Sequence, residues 1–213
     1  MEADYLIAYP GGETAEVLVE SLIDKGNSLL ILSPEDRSKK KHKNVQHIGW
    51  NPKSPLSAKN ALLSLVNSFD VIPPAVFVFP DFEQTGMSSH QLSYAQIDSG
   101  LDNALRGMMF LIKELLYTNK QRSGSLSLCL PRLTQPSNAF ASMLHNAVKV
   151  LGEGLFEEYA ESGLSLFGFE NRYDDINKFA DFVLHQLPQL SKKHEGKWNI
   201  GGERGIFFSN LKK

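Results

Sequence analysis

Residues 5–12 of the chain read YLIAYPGG, a run of apolar side chains followed at once by a proline and two glycines. A short, continuous apolar run that ends in turn residues is typical of a strand buried on both faces of a parallel sheet. Apolar residues at helical spacing predict a helix over residues 14–25, which Gly26 ends. A second apolar run, SLLIL at 28–32, completes a βαβ unit.

Strand-like and helix-like segments alternate along the rest of the chain. Further strands are predicted at 45–49, 75–79, 126–130 and 164–167, and helices at 57–67, 97–119, 137–159 and 174–187. This alternation predicts a parallel, doubly wound sheet with helices on both faces, in a three-layer α/β/α arrangement. No internal repeat or low-complexity linker divides the chain, so we expect a single domain over residues 1–213.

Composition excludes several classes of function. The net charge of −2 gives no overall field that would attract nucleic acid or an anionic membrane, so neither is an expected partner. The apolar stretches are shorter than the roughly 18 residues of a membrane-spanning helix. Cys129 is the only cysteine, which excludes an internal disulfide and favours a reducing, cytoplasmic location. The six histidines lack metal-binding spacing, so no metal is expected.

Several short phrases, in their order along the chain, resemble the short-chain dehydrogenase/reductase family. They are Asp24-Lys25-Gly26, Arg106-Gly107, Gly124-Ser125-Leu126, Ala147-Val148, Glu161-Ser162-Gly163-Leu164 and Asn199-Ile200-Gly201-Gly202. The resemblance covers nearly the whole chain. Within the family, the chain is similar to proteins of the 3-oxoacyl-carrier-protein reductase type. It implies a Rossmann-type fold with about seven strands in the order 3-2-1-4-5-6-7.

The resemblance breaks down where the family binds NAD or NADP. That family carries TGxxxGxG between its first strand and first helix, so that bare backbone approaches the diphosphate. Aligned from Lys25-Gly26, the three glycines would fall on Tyr9, Glu13 and Ala15. Tyr9 adds bulk to a tight turn, and Glu13 places a carboxylate where the phosphates would lie. We therefore expect Gly11 and Gly12 to form only a turn, with Glu13 stabilising the helix dipole, and no cofactor to bind.

Weak support for a cofactor comes after the second strand. Asp36 and Arg37 stand where the family recognises the adenosine ribose or its 2′-phosphate. With the basic residues up to Lys43 they could form an anion site, for NADP or another phosphate compound. The alternative is a solvated basic loop.

The catalytic residues that the family would imply are also replaced. Anchored on Ala147-Val148, its tyrosine falls on Ser142, its lysine on Asn146, its serine on Leu130 or Pro131, and its asparagine on Ala104, next to Asn103. Pro80-Asp81-Phe82 replaces the family's Asn-Ala-Gly. A substitute set of Ser142, His145 and Lys149, with Asp81 as orienting carboxylate, lacks the nucleophile elbow of acyl-transfer enzymes.

Three hypotheses about function follow. The first is a non-catalytic subunit, a pseudoenzyme of the reductase fold, that forms a homodimer or a heteromer with an active homologue through helices 97–119 and 137–159. Those helices are apolar on more than one face, and the substrate lid after residue 168 is shortened. The second is an atypical NAD(P)-dependent oxidoreductase that reduces a carbonyl or 3-oxoacyl substrate. The third is a module that senses a small molecule or nucleotide.

Overall fold

The computed structural model describes residues 3–34, 42–69, 72–82, 87–119, 124–133 and 138–202. These residues form a seven-stranded sheet in the order β3-β2-β1-β4-β5-β6-β7, with every neighbouring pair parallel. The strands are β1 Tyr5–Ala8, β2 Leu29–Ser33, β3 Val45–Gly49, β4 Ala75–Val78, β5 Ser125–Leu130, β6 Ser165–Asn171 and β7 Trp198–Gly201. This is the predicted Rossmann-type sheet, with the predicted strand order.

Helices cover both faces of the sheet. They are α1 Glu13–Asp24, α2 Pro55–Ser68, α3 Tyr94–Leu101, α4 Gly107–Asn119, α5 Ala139–Glu158 and α6 Ile176–Gln186. The buried core accordingly has two parts, one shared with α2, α4 and α5 and the other with α1 and α6. Within the described residues, no helix is both long and apolar enough to cross a bilayer.

Strand β1 shows why the sequence runs apolar without alternation. Leu6 and Ala8 pack into the core part that contains α2, α4 and α5, whereas Ile7 packs into the part that contains α1 and α6. All three side chains are 0% exposed. Because both faces of the sheet are covered, each successive residue must be apolar, and YLIAY predicts the central strand correctly.

Element boundaries differ from the predicted ones where caps and strand pairing decide them. Helix α3 begins three residues earlier than expected because Ser93 and Gln96 form a capping box. Helix α5 begins two residues later because the Asn138 side chain accepts a hydrogen bond from the Ala141 amide, 2.8 Å away. Strand β6 continues to Asn171, since both β5 and β7 pair with its last residues.

One long helical segment runs from α3 into α4 through a π-helical turn, Asp102–Arg106. Helices α3 and α5 pack closely where they meet: a Cβ on Gly100 would lie 2.8 Å from the ring of Phe140. Within the π turn, the 4%-exposed Asp102 pairs with Arg106 at 2.5 Å. π turns are frequent at functional sites, and Asn103 lies on this one.

The last strand is held against α5 by an aromatic side chain. Trp198 packs over Gly152 of α5, and its indole nitrogen donates to the Lys149 carbonyl oxygen at 3.2 Å. A Cβ on Gly152 would lie 2.4 Å from the indole ring, whereas one on Gly154 would have no atom within 4 Å. The first glycine is therefore required for packing and the second is not.

Alanine substitutions at these two glycines test that contact. We expect Gly152→Ala to lower the free energy of unfolding by about 1–3 kcal/mol, because the added methyl overpacks the Trp198 site. Gly154→Ala is the matched control and should raise it by about 0.5–1 kcal/mol through helix propensity. Urea denaturation measures both, and equal effects of the two substitutions would contradict the packing argument.

Candidate functional site

An open cleft of about 420 Å³ lies at the carboxyl ends of the strands. Its walls come from the first residues of α1 and α6, from the end of β6 and from the segments that follow β4, β5 and β6: Glu13, Thr14, Asp81, Phe82, Arg132, Asn171, Tyr173, Asp174, Asp175 and Ile176. In doubly wound sheets this edge is where ligands bind. We refer to these ten residues as the cleft.

At the start of α1, the chain's own carboxylate occupies the helix N-terminus. The Thr14 amide donates to Asp81 Oδ2 at 3.0 Å, and the Thr14 hydroxyl donates to Asp81 Oδ1. Gly12 has a φ of 125°, and a Cβ there would lie 2.6 Å from Asp81 Oδ2. Gly12 thus allows close approach of a carboxylate, in the way that glycines elsewhere admit a phosphate.

Other residues of the first turn agree with the sequence expectation. Glu13 and Glu16 place two acidic side chains in the first turn of α1. Tyr9 is 5% exposed and packs into the core beneath the turn. Gly11 has a φ of 137°, so the two glycines form the predicted turn. The Asp81 cap was not predicted, since its partner Thr14 lies 67 residues away in sequence.

Helix α6 opens into the same cleft with a carboxylate of its own. Asp175 caps it by accepting a hydrogen bond from the Asn177 amide at 2.9 Å. Hydrogen bonds from the Asn177 backbone and side chain lower the pKa of Asp175. Asp174 pairs with Arg132, which follows β5. Both helix N-termini at the cleft are therefore already matched by protein carboxylates.

The residues aligned with the family's catalytic set lie on α5, in the π turn and directly after β5. Asn146 is exposed on α5, and its amide donates to the Ser142 carbonyl oxygen of the same helix at 2.8 Å. Asn103 contacts Ser99 within its own helical segment, with 3.4 Å between its amide nitrogen and the serine oxygen. Pro131 is buried directly after β5, where it offers no hydroxyl. Ser142 is half-buried on α5.

A different pair on α5, His145 and Lys149, faces the end of the sheet. The imidazole lies edge-on to Phe82, with ring centroids 5.3 Å apart. Burial is the largest effect on His145 and lowers its pKa. The Glu170 charge raises this pKa, and the Lys149 charge lowers it further. Burial therefore favours the uncharged form of the ring. The sequence placed both residues, with Ser142, in a possible substitute catalytic set on this helix, but it did not indicate the contacts with Phe82 and Glu170.

Glu170, at the end of β6, binds two cations. It accepts hydrogen bonds from Lys149 Nζ at 2.9 Å and from Arg172 Nε at 3.2 Å. Burial by itself raises the pKa of Glu170, but the hydrogen bonds and charges of Lys149 and Arg172 outweigh that effect and lower it. Lys149 is thus held by a carboxylate rather than directed at the cleft.

Two candidate positions cannot be placed. Asp36 and Arg37 lie outside the described residues, as does most of the basic run after them.

For metal binding, the described part of the chain contains no cluster of three or more His, Cys, Asp or Glu side chains that could hold an ion.

Comparisons with known proteins identify the fold. No protein-family model and no curated protein sequence matches the chain. Among solved structures, it is similar to a Brucella ovis short-chain dehydrogenase/reductase in complex with partially ordered NAD, at 13% identity and TM-score 0.71, covering 93% of this chain and 99% of that one. A putative oxidoreductase of that family from Aeromonas hydrophila has 14% identity, TM-score 0.73 and coverages of 94% and 99%. The putative carbonyl reductase Sniffer of Caenorhabditis elegans has 12% identity, TM-score 0.71 and coverages of 94% and 97%.

The chain therefore has the fold of the short-chain dehydrogenases/reductases, as the sequence resemblance implied. The connection between β6 and α6 is only residues 172–175, which agrees with the predicted loss of the substrate lid. At these levels of identity, the likeness extends to the fold and leaves the chemistry to be argued from the site.

The Asp81 cap can be tested by its effect on stability. We expect Asp81→Ala to lower the free energy of unfolding by about 1–2 kcal/mol, because the first turn of α1 loses its side-chain acceptor. Asp81→Asn keeps one oxygen acceptor and should lower the free energy of unfolding by less than Asp81→Ala does. Hydrogen exchange at the Thr14 amide should become faster in Asp81→Ala. An unchanged exchange rate would contradict the contact.

The Glu170 network predicts a pH dependence of stability. A carboxyl whose pKa is lowered on folding stabilises the protein above its ordinary pKa of 4.5 and loses this effect as the pH falls through the folded value. We expect Glu170→Gln to lower the free energy of unfolding at neutral pH by about 1–3 kcal/mol. This free energy should then fall less steeply with acidification than it does in the native protein. Urea denaturation at neutral and acid pH measures this, with the exposed Glu161→Gln as control. Parallel curves for Glu170→Gln and the native protein would contradict it.

Proposed function

We propose that the chain is a non-catalytic protein of the reductase fold that acts as a structural or regulatory subunit. The observation that carries this proposal is the Asp81 carboxylate bound to the amide and hydroxyl of Thr14. A dinucleotide held in the usual manner would need these donors for its diphosphate. It would have to displace Asp81 and approach Glu13, which places like charges together.

Loss of the catalytic groups supports the same proposal. Carbonyl reduction of this family's type needs an acidic hydroxyl and an ammonium group close to it. The aligned positions hold Ser142 and the exposed Asn146, and Lys149 is bound to Glu170. The described residues at the aligned positions therefore supply neither the phenol nor the ammonium that hydride transfer of this family's type uses.

Association is the activity that the surface favours. Large apolar side chains remain exposed on the helices that cover one face of the sheet: Tyr94 on α3, Met109 and Tyr117 on α4, and Met143 and Val150 on α5. Helices α3 and α5 are in contact, and α4 continues the helical segment that begins with α3, so these residues lie on one group of helices. Burying them against a second copy, or against an active homologue, would remove apolar area from water.

Two alternatives keep specific support. An atypical oxidoreductase is favoured by the fold, since the Brucella ovis protein of similar structure binds NAD, and by His145, whose uncharged form burial favours, near the sheet edge. NAD or NADP would then be the cofactor. A small-molecule or nucleotide sensor is favoured by the cleft at the carboxyl ends of the strands.

Cofactor titration separates these functions. We expect NADH and NADPH to leave the melting temperature unchanged and to produce no heat of binding. A ligand at 100 times its dissociation constant adds about 2.7 kcal/mol, which for a domain of this size raises the melting temperature by roughly 5–10 °C. Such a rise with either dinucleotide would contradict the proposal and support the oxidoreductase.

Sedimentation measures the association. We expect the protein to dimerise with increasing concentration and Val150→Glu to weaken the dimer at least about tenfold, because a carboxylate would be buried at the contact. His185→Glu, at an exposed position of α6 on the other face of the sheet, is the matched control and should not change it. A monomer at all concentrations would contradict self-association, and equal effects of both variants would contradict the assigned surface.

A further inference from the structure

We propose that the segment Ile206-Phe207-Phe208 lies antiparallel along β7 and covers the groove between β7 and α5. The groove is on the β7 side of α5, whereas subunit association is assigned to the surface that carries Met143 and Val150. Three observations support this placement: an open strand edge, an apolar groove beside it, and the sequence that follows Gly202.

Strand β7 has an open edge. Among the described residues it pairs only with β6, so it ends the sheet. The Gly168 amide of β6 donates to the Lys197 carbonyl oxygen at 3.0 Å. Because backbone groups alternate in direction along a strand, those of Trp198 and Ile200 point away from β6. An edge of this kind is a template for another strand, and native proteins commonly cover it.

A groove of about 590 Å³ lies between this edge and α5. Its lining includes Phe156, which is buried on α5 and meets the half-buried ring of Trp198 edge-on, with ring centroids 5.5 Å apart. Ile200 lines the same groove, so the two residues with outward backbone groups also present their side chains to it. A strand added at the edge would place alternate side chains over these residues and bury apolar area.

The sequence after β7 suits that position. Residues 203–213 lie outside the described residues and read ERGIFFSNLKK. Gly202 has a φ of 95°, which is typical of a turn, and Gly205 precedes the apolar residues directly. The connection over residues 202–205 has the length of an ordinary hairpin loop. Isoleucine and phenylalanine favour strands, so residues 206–208 have the composition of a hairpin's second strand.

The charges of the groove agree with the antiparallel direction. Lys149 and Glu170 neutralise each other at the carboxyl end of β6. Glu153 and Glu157 lie on the following turns of α5, towards the amino ends of the strands, and Lys197 is the remaining cation of the described lining. The groove therefore keeps a net negative charge at that end. A segment that turns back along β7 would carry its last two residues, both lysines, towards these carboxylates.

Hydrogen exchange, resolved residue by residue by NMR, tests the pairing. We expect the amides of Trp198 and Ile200 to be protected in the full chain. They should exchange at least about tenfold faster when the segment is undocked, because they lose their acceptors. The amides of Asn199 and Gly201 point towards β6 and serve as the internal control, so their exchange should change much less.

Two variants undock the segment. Phe207→Ser/Phe208→Ser keeps the length of the chain and removes both rings, one of which faces the groove in either register because side chains alternate along a strand. A variant that ends at Gly205 removes the segment altogether. Asn210→Ser changes a polar side chain of the same tail and is the matched control, with exchange like that of the native protein.

Three results would overturn the placement. The first is equal exchange of the Trp198 and Ile200 amides in the native protein and in both undocking variants. The second is an equal increase at Asn199 and Gly201, which would show a general loosening of β7 rather than the loss of a paired strand. The third is protection that falls on dilution of the native protein, which would assign the strand to a second copy of the chain.

Discussion

The bond between Asp81 and Thr14 links two loops that the fold would otherwise leave as separate walls of an open crevice. It joins the segment after β4 to the first turn of α1. Since the carboxylate lies where a Cβ of residue 12 would project, Gly12 has to remain glycine. The same carboxylate accepts from the Thr14 amide at the start of α1, the kind of donor that a diphosphate would use. The packing of the turn at Gly12 and the capping of α1 therefore depend on the same carboxylate.

Most of the fold could be predicted because its determinants are local. Apolar runs such as residues 5–9 identify strands covered on both faces, and the alternation with helices fixes the parallel order of the sheet. Local caps shifted the boundaries of α3 and α5 by a few residues. The capping box at Ser93 and Gln96 is itself readable in the sequence, so the boundary of α3 could have been predicted as well.

The candidate site was less predictable because its contacts join distant parts of the chain. The expectation that Tyr9 and Glu13 disfavour a dinucleotide rests on residue type alone. The partner of Thr14 does not, because nothing near Asp81 in sequence indicates which helix it caps. Likewise, the pairing of Lys149 with Glu170 depends on how α5 lies over the sheet. The alignment with the family pointed instead to Asn146, which is exposed to solvent.

The two tryptophans lie at opposite edges of the sheet. Trp50 follows β3 and is 2% exposed, whereas Trp198 begins β7 and is half-buried against α5. Indole emission depends on the polarity around the ring, so the protein carries a native fluorescent reporter at each end of its hydrogen-bonded ladder. When one tryptophan is replaced, the fluorescence that remains comes from the other. Comparing the unfolding transitions of the two single-tryptophan proteins then shows whether the two edges of the sheet unfold as one cooperative unit or in separate steps.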